Sequence, residues 1–85
     1  MTKPELFLDS SALFAGVVSA SGAGRALLLL AEAGVLGVTA SAQVVAEAER
    51  AVARKVPSAL VDLRLALRST GLRLVPDPAP GDVAA

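Results

Sequence analysis

Three short apolar runs, Leu6-Phe7-Leu8, Val35 to Thr39 and Leu72 to Val75, are separated by stretches long enough to hold one or two helices each. That spacing constrains the fold more than any other feature of the chain. Strands joined by two to five residues turn back as hairpins, whereas strands separated by helix-length segments pair in parallel through right-handed crossovers. The expectation is an α/β sandwich around a parallel sheet.

The helical segments carry their own start and stop signals. Ser10 or Ser11 suits the cap of a helical turn running to about Val18, and Ser19 to Gly24 reads as loop. Arg25 to Ala33, rich in Leu and Ala, closes at Gly34 as a C-cap. Ser41 opens a helix to about Val56, where Pro57 interrupts it, and Ser58 caps a further helix to about Thr70, stopped by Gly71. The ending, "PDPAPGDVAA", has two proline-led turns and then Asp82 as a cap before Val83-Ala84-Ala85. It reads as a domain that continues, so residues 1–85 are expected to be the N-terminal portion of a single domain, truncated after the third strand. No internal repeat or linker interrupts it.

Composition removes whole classes of chemistry. The chain has 54% apolar residues, too many for a disordered protein, and only Phe7 and Phe14 are aromatic, so the core is aliphatic. With no Cys and no His, disulfides, thiolate zinc sites, Ser/His/Asp triads and imidazole bases are excluded. The uncharged run from Ser10 to Gly24 is shorter than the roughly 20 residues of a membrane span and is broken by glycines. Lys3, Pro4 and Glu5 precede an apolar run that stops at an acid, unlike a signal peptide, which makes the cytoplasm the expected compartment.

Charge is balanced overall but divided along the chain. Residues 1 to 49 set Lys3 and Arg25 against Glu5, Asp9, Glu32, Glu47 and Glu49, a net −3. Residues 50 to 73 set Arg50, Arg54, Lys55, Arg64, Arg68 and Arg73 against Asp62, a net +5. Such a division describes either ordinary solvated helix faces or a basic surface beside an acidic pocket, as a polyanionic substrate would need.

Two acids stand where chemistry is expected. Ligands of open parallel sheets bind outside the carboxyl ends of the strands, and Asp9 ends the first strand. It is equally suited to capping the following helix. Glu47 lies at the edge of the core stripe Val44, Val45, Ala48, Ala51, Val52 and Val56, on the side of Arg50 and Arg54. There it either leans toward the strand ends or simply pairs with Arg50.

Taken together, "LFLDSSALFA" and "VLGVTASAQVVAEAERAV" resemble the first strand, and the second strand with its following helix, of PIN domains. In that family an apolar strand ends in Asp followed by small hydroxyl residues, and a later helix carries the pattern apolar-apolar-x-Glu. The resemblance covers nearly all of the chain and implies a three-layer α/β sandwich with a parallel central sheet. It also implies a divalent-metal-dependent endoribonuclease of the toxin-antitoxin type, with Asp9 and Glu47 as catalytic metal ligands, Ser11 helping to hold Mg²⁺ or Mn²⁺, and RNA as substrate. Arg50 and Arg54, with Arg64 and Arg68, would then contact substrate phosphates. An antitoxin protein and a homodimer are the implied partners, and no membrane is involved. The family's third and fourth acids belong to later elements. Asp62, Asp77 and Asp82 are assigned no role, and these residues alone are expected to cleave little RNA.

The main alternative is a non-catalytic α/β interaction or oligomerisation module. Between Ser58 and Thr70, Leu60, Leu63 and Leu67 form one apolar stripe while Val61 and Leu65 form a second, which a partner would cover. A small nucleotide-binding protein is disfavoured, because Gly22 and Gly24 fit no phosphate-loop frame.

Overall fold

The computed structural model describes residues 3–77. Strand β1 (Glu5–Phe7) is followed by helices α1 (Ser10–Val18) and α2 (Ala23–Glu32), and β2 (Gly37–Ser41) by α3 (Ala42–Lys55). A 3-10 turn at Pro57–Ala59 then leads into α4 (Leu60–Ser69) and β3 (Arg73–Val75). The strands form one sheet in the order β1-β2-β3, with both pairings parallel. The class is therefore α/β with a parallel sheet. The cap expected at Asp82 and the helix start expected after it lie outside the described residues.

Register divides the sheet into two unlike faces. Leu6 stands opposite Val38, and Phe7 opposite Thr39, which in turn faces Arg73. Side chains alternate along a strand, so Leu6, Leu8 and Val38 share one face, and it is through these that the sheet enters the core. All four helices contribute to that core, with Leu13 and Val17 from α1, Leu28 and Ala31 from α2, Ala48 and Val52 from α3, and Leu63 from α4. On the opposite face Phe7 is 72% exposed, and the Glu5 carboxylate accepts a hydrogen bond from Thr39 Oγ1 at 3.3 Å. Successive crossovers of one hand that step in one direction put their helices on one side of a sheet. The described residues accordingly build a sheet and one helical layer, with a shortest extent of 20 Å.

The helix ends follow local chemistry. α2 closes in a Schellman motif: Gly34, at φ 80°, donates to Ala31 O at 3.1 Å, and Val35 donates to Leu30 O at 2.9 Å. Because that motif uses Val35, β2 begins only at Gly37, whose N–H donates to Pro4 O at 2.7 Å, two residues later than the hydropathy pattern suggested. α3 opens on Ser41, whose Oγ accepts from the Val44 N–H at 3.2 Å. It ends at Lys55, since Val56 precedes a proline and is held out of the helical region at φ −142°, ψ 68°. Ser58 caps nothing; it lies within the 3-10 turn, and α4 starts without a side-chain cap.

The largest departure from the sequence reading is at the α1–α2 corner. Gly24, expected in a loop, lies inside α2. A Cβ there would stand 2.9 Å from Gly16 N and 3.0 Å from Ala12 O, and one on Gly16 would meet Gly24 O at 2.9 Å. Two backbones touch at this point, and only paired glycines allow it. Alanine at position 24 would gain about 1 kcal/mol in helix propensity, but crowding against fixed backbone costs about 1–3 kcal/mol. Gly24→Ala is therefore expected to lower the thermal midpoint, by about 4–8 °C per kcal/mol of net loss. A midpoint that holds or rises in calorimetry would show that the helices do not depend on this contact.

Candidate functional site

Parallel pairing brings the carboxyl ends of all three strands to one edge of the sheet. β1 delivers Asp9 there, β2 delivers Ser41, and β3 delivers Asp77 two residues past its end. Asp9 is exposed and serves as the N-cap of α1: its backbone is extended (φ −90°, ψ 172°) and Oδ1 accepts from the Ala12 N–H at 2.7 Å. Asp9, rather than Ser10 or Ser11, thus caps this helix. A carboxylate offers about four acceptor sites, so the cap engages only part of it.

Glu47 is half-buried on α3, where Gln43 Nε2 donates to its Oε1 at 3.3 Å, one turn earlier on the same helix. With Ser10, Ser11, Phe14, Ala51 and Lys55 it lines a pocket of about 170 Å³ between α1 and α3. Of the residues singled out in the sequence, Ser11 and Glu47 therefore meet in one cavity. Asp9 is next in the chain to that hydroxyl pair but does not line the pocket. Arg50, Arg54, Arg64 and Arg68 are exposed, and none lines it either.

Two residues without an assigned role enter the site. Lys55 shares the pocket, and its Nζ stands 5.5 Å from the centre of the Phe14 ring. The sequence carries a signal for it, since Glu47, Ala51 and Lys55 follow one another at intervals of four and share one side of a helix. Asp77 has no such signal. It lies 34 residues from Gln43, yet its Oδ1 accepts the Gln43 N–H at 2.7 Å and adds a second cap to α3. Gln43 thereby links Asp77, through its backbone, to Glu47, through its side chain.

A larger pocket of about 240 Å³ lies elsewhere, among α1, α2 and α4. Arg25, Glu32 and Ser69 in its wall hold helix ends: Arg25 donates to Ser19 O at 3.1 Å and Val17 O at 3.4 Å, and Glu32 accepts from Ser69 Oγ at 2.8 Å, while Asp62 also lines it. The pocket beside Glu47 combines hydroxyls, a carboxylate and an ammonium next to the strand ends, and is the better placed for ligand chemistry.

The donors near Glu47 and Asp9 are oxygens, the kind that Mg²⁺ and Mn²⁺ take. Among the described residues no group of three or more His, Cys, Asp or Glu side chains converges as a metal site. No single helix among them is long and apolar enough to cross a membrane; α1 and α2 reach that length and apolarity only jointly, across a bend of 85°. The chain matches no protein-family model, and no curated protein or solved structure matches it.

The cap at Asp9 has a measurable weight. Asp9→Ala is expected to destabilise the fold by about 1 kcal/mol, whereas Asp9→Asn, which caps as well, should stay within a few tenths. Urea denaturation of the two variants without metal checks this, and equal losses would show that the Ala12 hydrogen bond contributes nothing.

Proposed function

We propose that this chain carries the first part of the acidic site of a PIN-like, divalent-metal-dependent ribonuclease built as a three-layer α/β sandwich. The observation that carries the reading is the pocket in which Glu47 faces the Ser10–Ser11 pair, one residue beyond Asp9 and at the carboxyl edge of a parallel sheet. Glu47, Asp9 and Ser11 would hold Mg²⁺ or Mn²⁺. The metal, once bound, would lower the pKa of an attacking water and offset the charge that builds on the scissile phosphate.

The protein's own residues have definable tasks in this scheme. Asp9 would present to the metal the acceptor sites left free by the cap, so its backbone hydrogen bond orients the ligand. The Gln43 side chain donates to Glu47 Oε1 and limits the rotation of that carboxylate. The hydroxyls of Ser10 and Ser11 add neutral oxygen donors at no cost in like-charge repulsion. RNA is the proposed substrate, and an antitoxin protein and a second copy of the chain are the proposed partners, in the cytoplasm.

An interaction module remains the second reading. It draws on Val61 and Leu65, 59% and 55% exposed on the side of α4 away from buried Leu63. Metal binding at Glu47 separates the two readings, because a module has no use for it.

Paramagnetic Mn²⁺ broadens the amide signals of nearby residues even when it binds weakly, so NMR spectra of this chain test the proposal directly. Selective broadening is expected at Asp9 to Ser11 and Gln43 to Glu47. Asp9→Asn and Glu47→Gln should each weaken it by at least the 10- to 100-fold typical of lost outer-shell support. Uniform broadening, or selective broadening that both variants retain, would remove the metal site.

A further inference from the structure

The pocket beside Glu47 holds a cation that the metal scheme does not use. Lys55, exposed like Arg50 and Arg54, reaches it from the last turn of α3, whereas the two arginines on the same helix do not line it. Eight residues separate Lys55 from Glu47, about 12 Å along the helix axis. Helical side chains lean toward the N-terminus of their helix, so the Lys55 stem points back toward the Glu47 end. Its Nζ stands over the Phe14 ring at 5.5 Å, inside the roughly 6 Å range of a cation–π contact. The ammonium is thus positioned by an apolar face that takes up none of its three hydrogen-bond donors.

We propose that Lys55 forms a phosphate subsite for single-stranded RNA, lying beside the metal site rather than in it. Lys55 and Glu47 enter the cavity about two helical turns apart, so an anion bound at the ammonium is placed away from the carboxylate that repels it. A phosphodiester that meets Lys55 is therefore a neighbour of the one that would be cleaved at Glu47. Lysine serves such a position as a point charge, indifferent to base identity, so the subsite sets the register of the strand and not its sequence. The charge clusters in the sequence pointed to the arginines for this task, but the cavity singles out Lys55.

The inference rests on the ribonuclease reading for its substrate, and its test is arranged to fail separately. Binding of a labelled oligouridylate of about ten nucleotides, within the range of known single-strand sites, is measured against salt concentration in EDTA, where no metal contributes. Lys55→Met keeps an unbranched apolar stem of similar length and removes the charge. It is expected to weaken binding and to reduce the slope of log K against log salt by about 0.7, the value for one single-strand phosphate contact. Lys55→Arg should retain the slope, as should Arg73→Met on the opposite face of the sheet. An unchanged slope in Lys55→Met, an equal reduction in Arg73→Met, or the absence of RNA binding by the parent chain would overturn the subsite. If the slope falls as expected but Mn²⁺ broadens nothing near Glu47, the subsite stands and the metal reading falls.

Discussion

Everything in this chain depends on the central position of β2. Its residues Gly37 to Ala40 are buried, and it donates and accepts along both edges, to β1 and to β3, in parallel. Parallel neighbours oblige the chain to travel back along the sheet after each strand, which is why two helices lie between β1 and β2 and two more between β2 and β3. The same geometry brings Asp9, Ser41 and Asp77 to one edge, although they are 32 and 36 residues apart in sequence. A hairpin arrangement of the same strands would have divided them between opposite edges.

The acids at that edge already have structural work. Asp9 caps α1, and Asp77 joins Ser41 in capping α3. Capping and ligand binding make compatible demands here. Both need an oxygen at the start of a helix, where unpaired N–H groups and the helix dipole favour negative charge. A carboxylate fixed by one backbone hydrogen bond also loses less freedom on meeting a further partner. No buried side-chain nitrogen or oxygen among the described residues lacks a hydrogen bond, so the fold does not keep a strained or orphaned group in reserve.

The core is one-sided, and this shapes the surface. Leu13, Val38, Val52 and Leu63 are fully enclosed, while Phe7 on the far face of the sheet and Leu74 on the edge strand are largely exposed. Parallel sheets are usually covered on both faces. Val61 and Leu65 on α4 add a second apolar area on the opposite layer.

Local chemistry was legible in the residues themselves. The order of strands and helices, the Ser41 cap, the closure of α2 at Gly34 and the break before Pro57 each depend on groups a few residues apart, and each stands where the sequence pointed. Glu47 at the stripe edge was legible too, because helical periodicity places it without reference to any other element. Contacts between distant segments were not. The late start of β2 depends on its pairing with β1 and on a helix end that consumes Val35. The inclusion of Gly24 in α2 depends on a backbone contact with Gly16, and the pocket that Lys55 shares with Phe14 depends on how α1 and α3 pack. Asp77 reaches Gln43 only because β3 pairs with β2. The sequence alone determined which elements form, since hydrogen bonds and rotamer preferences within a few residues decide that. Only the tertiary structure decided which side chains meet, because that follows from the register of the sheet and the packing of helices against one face.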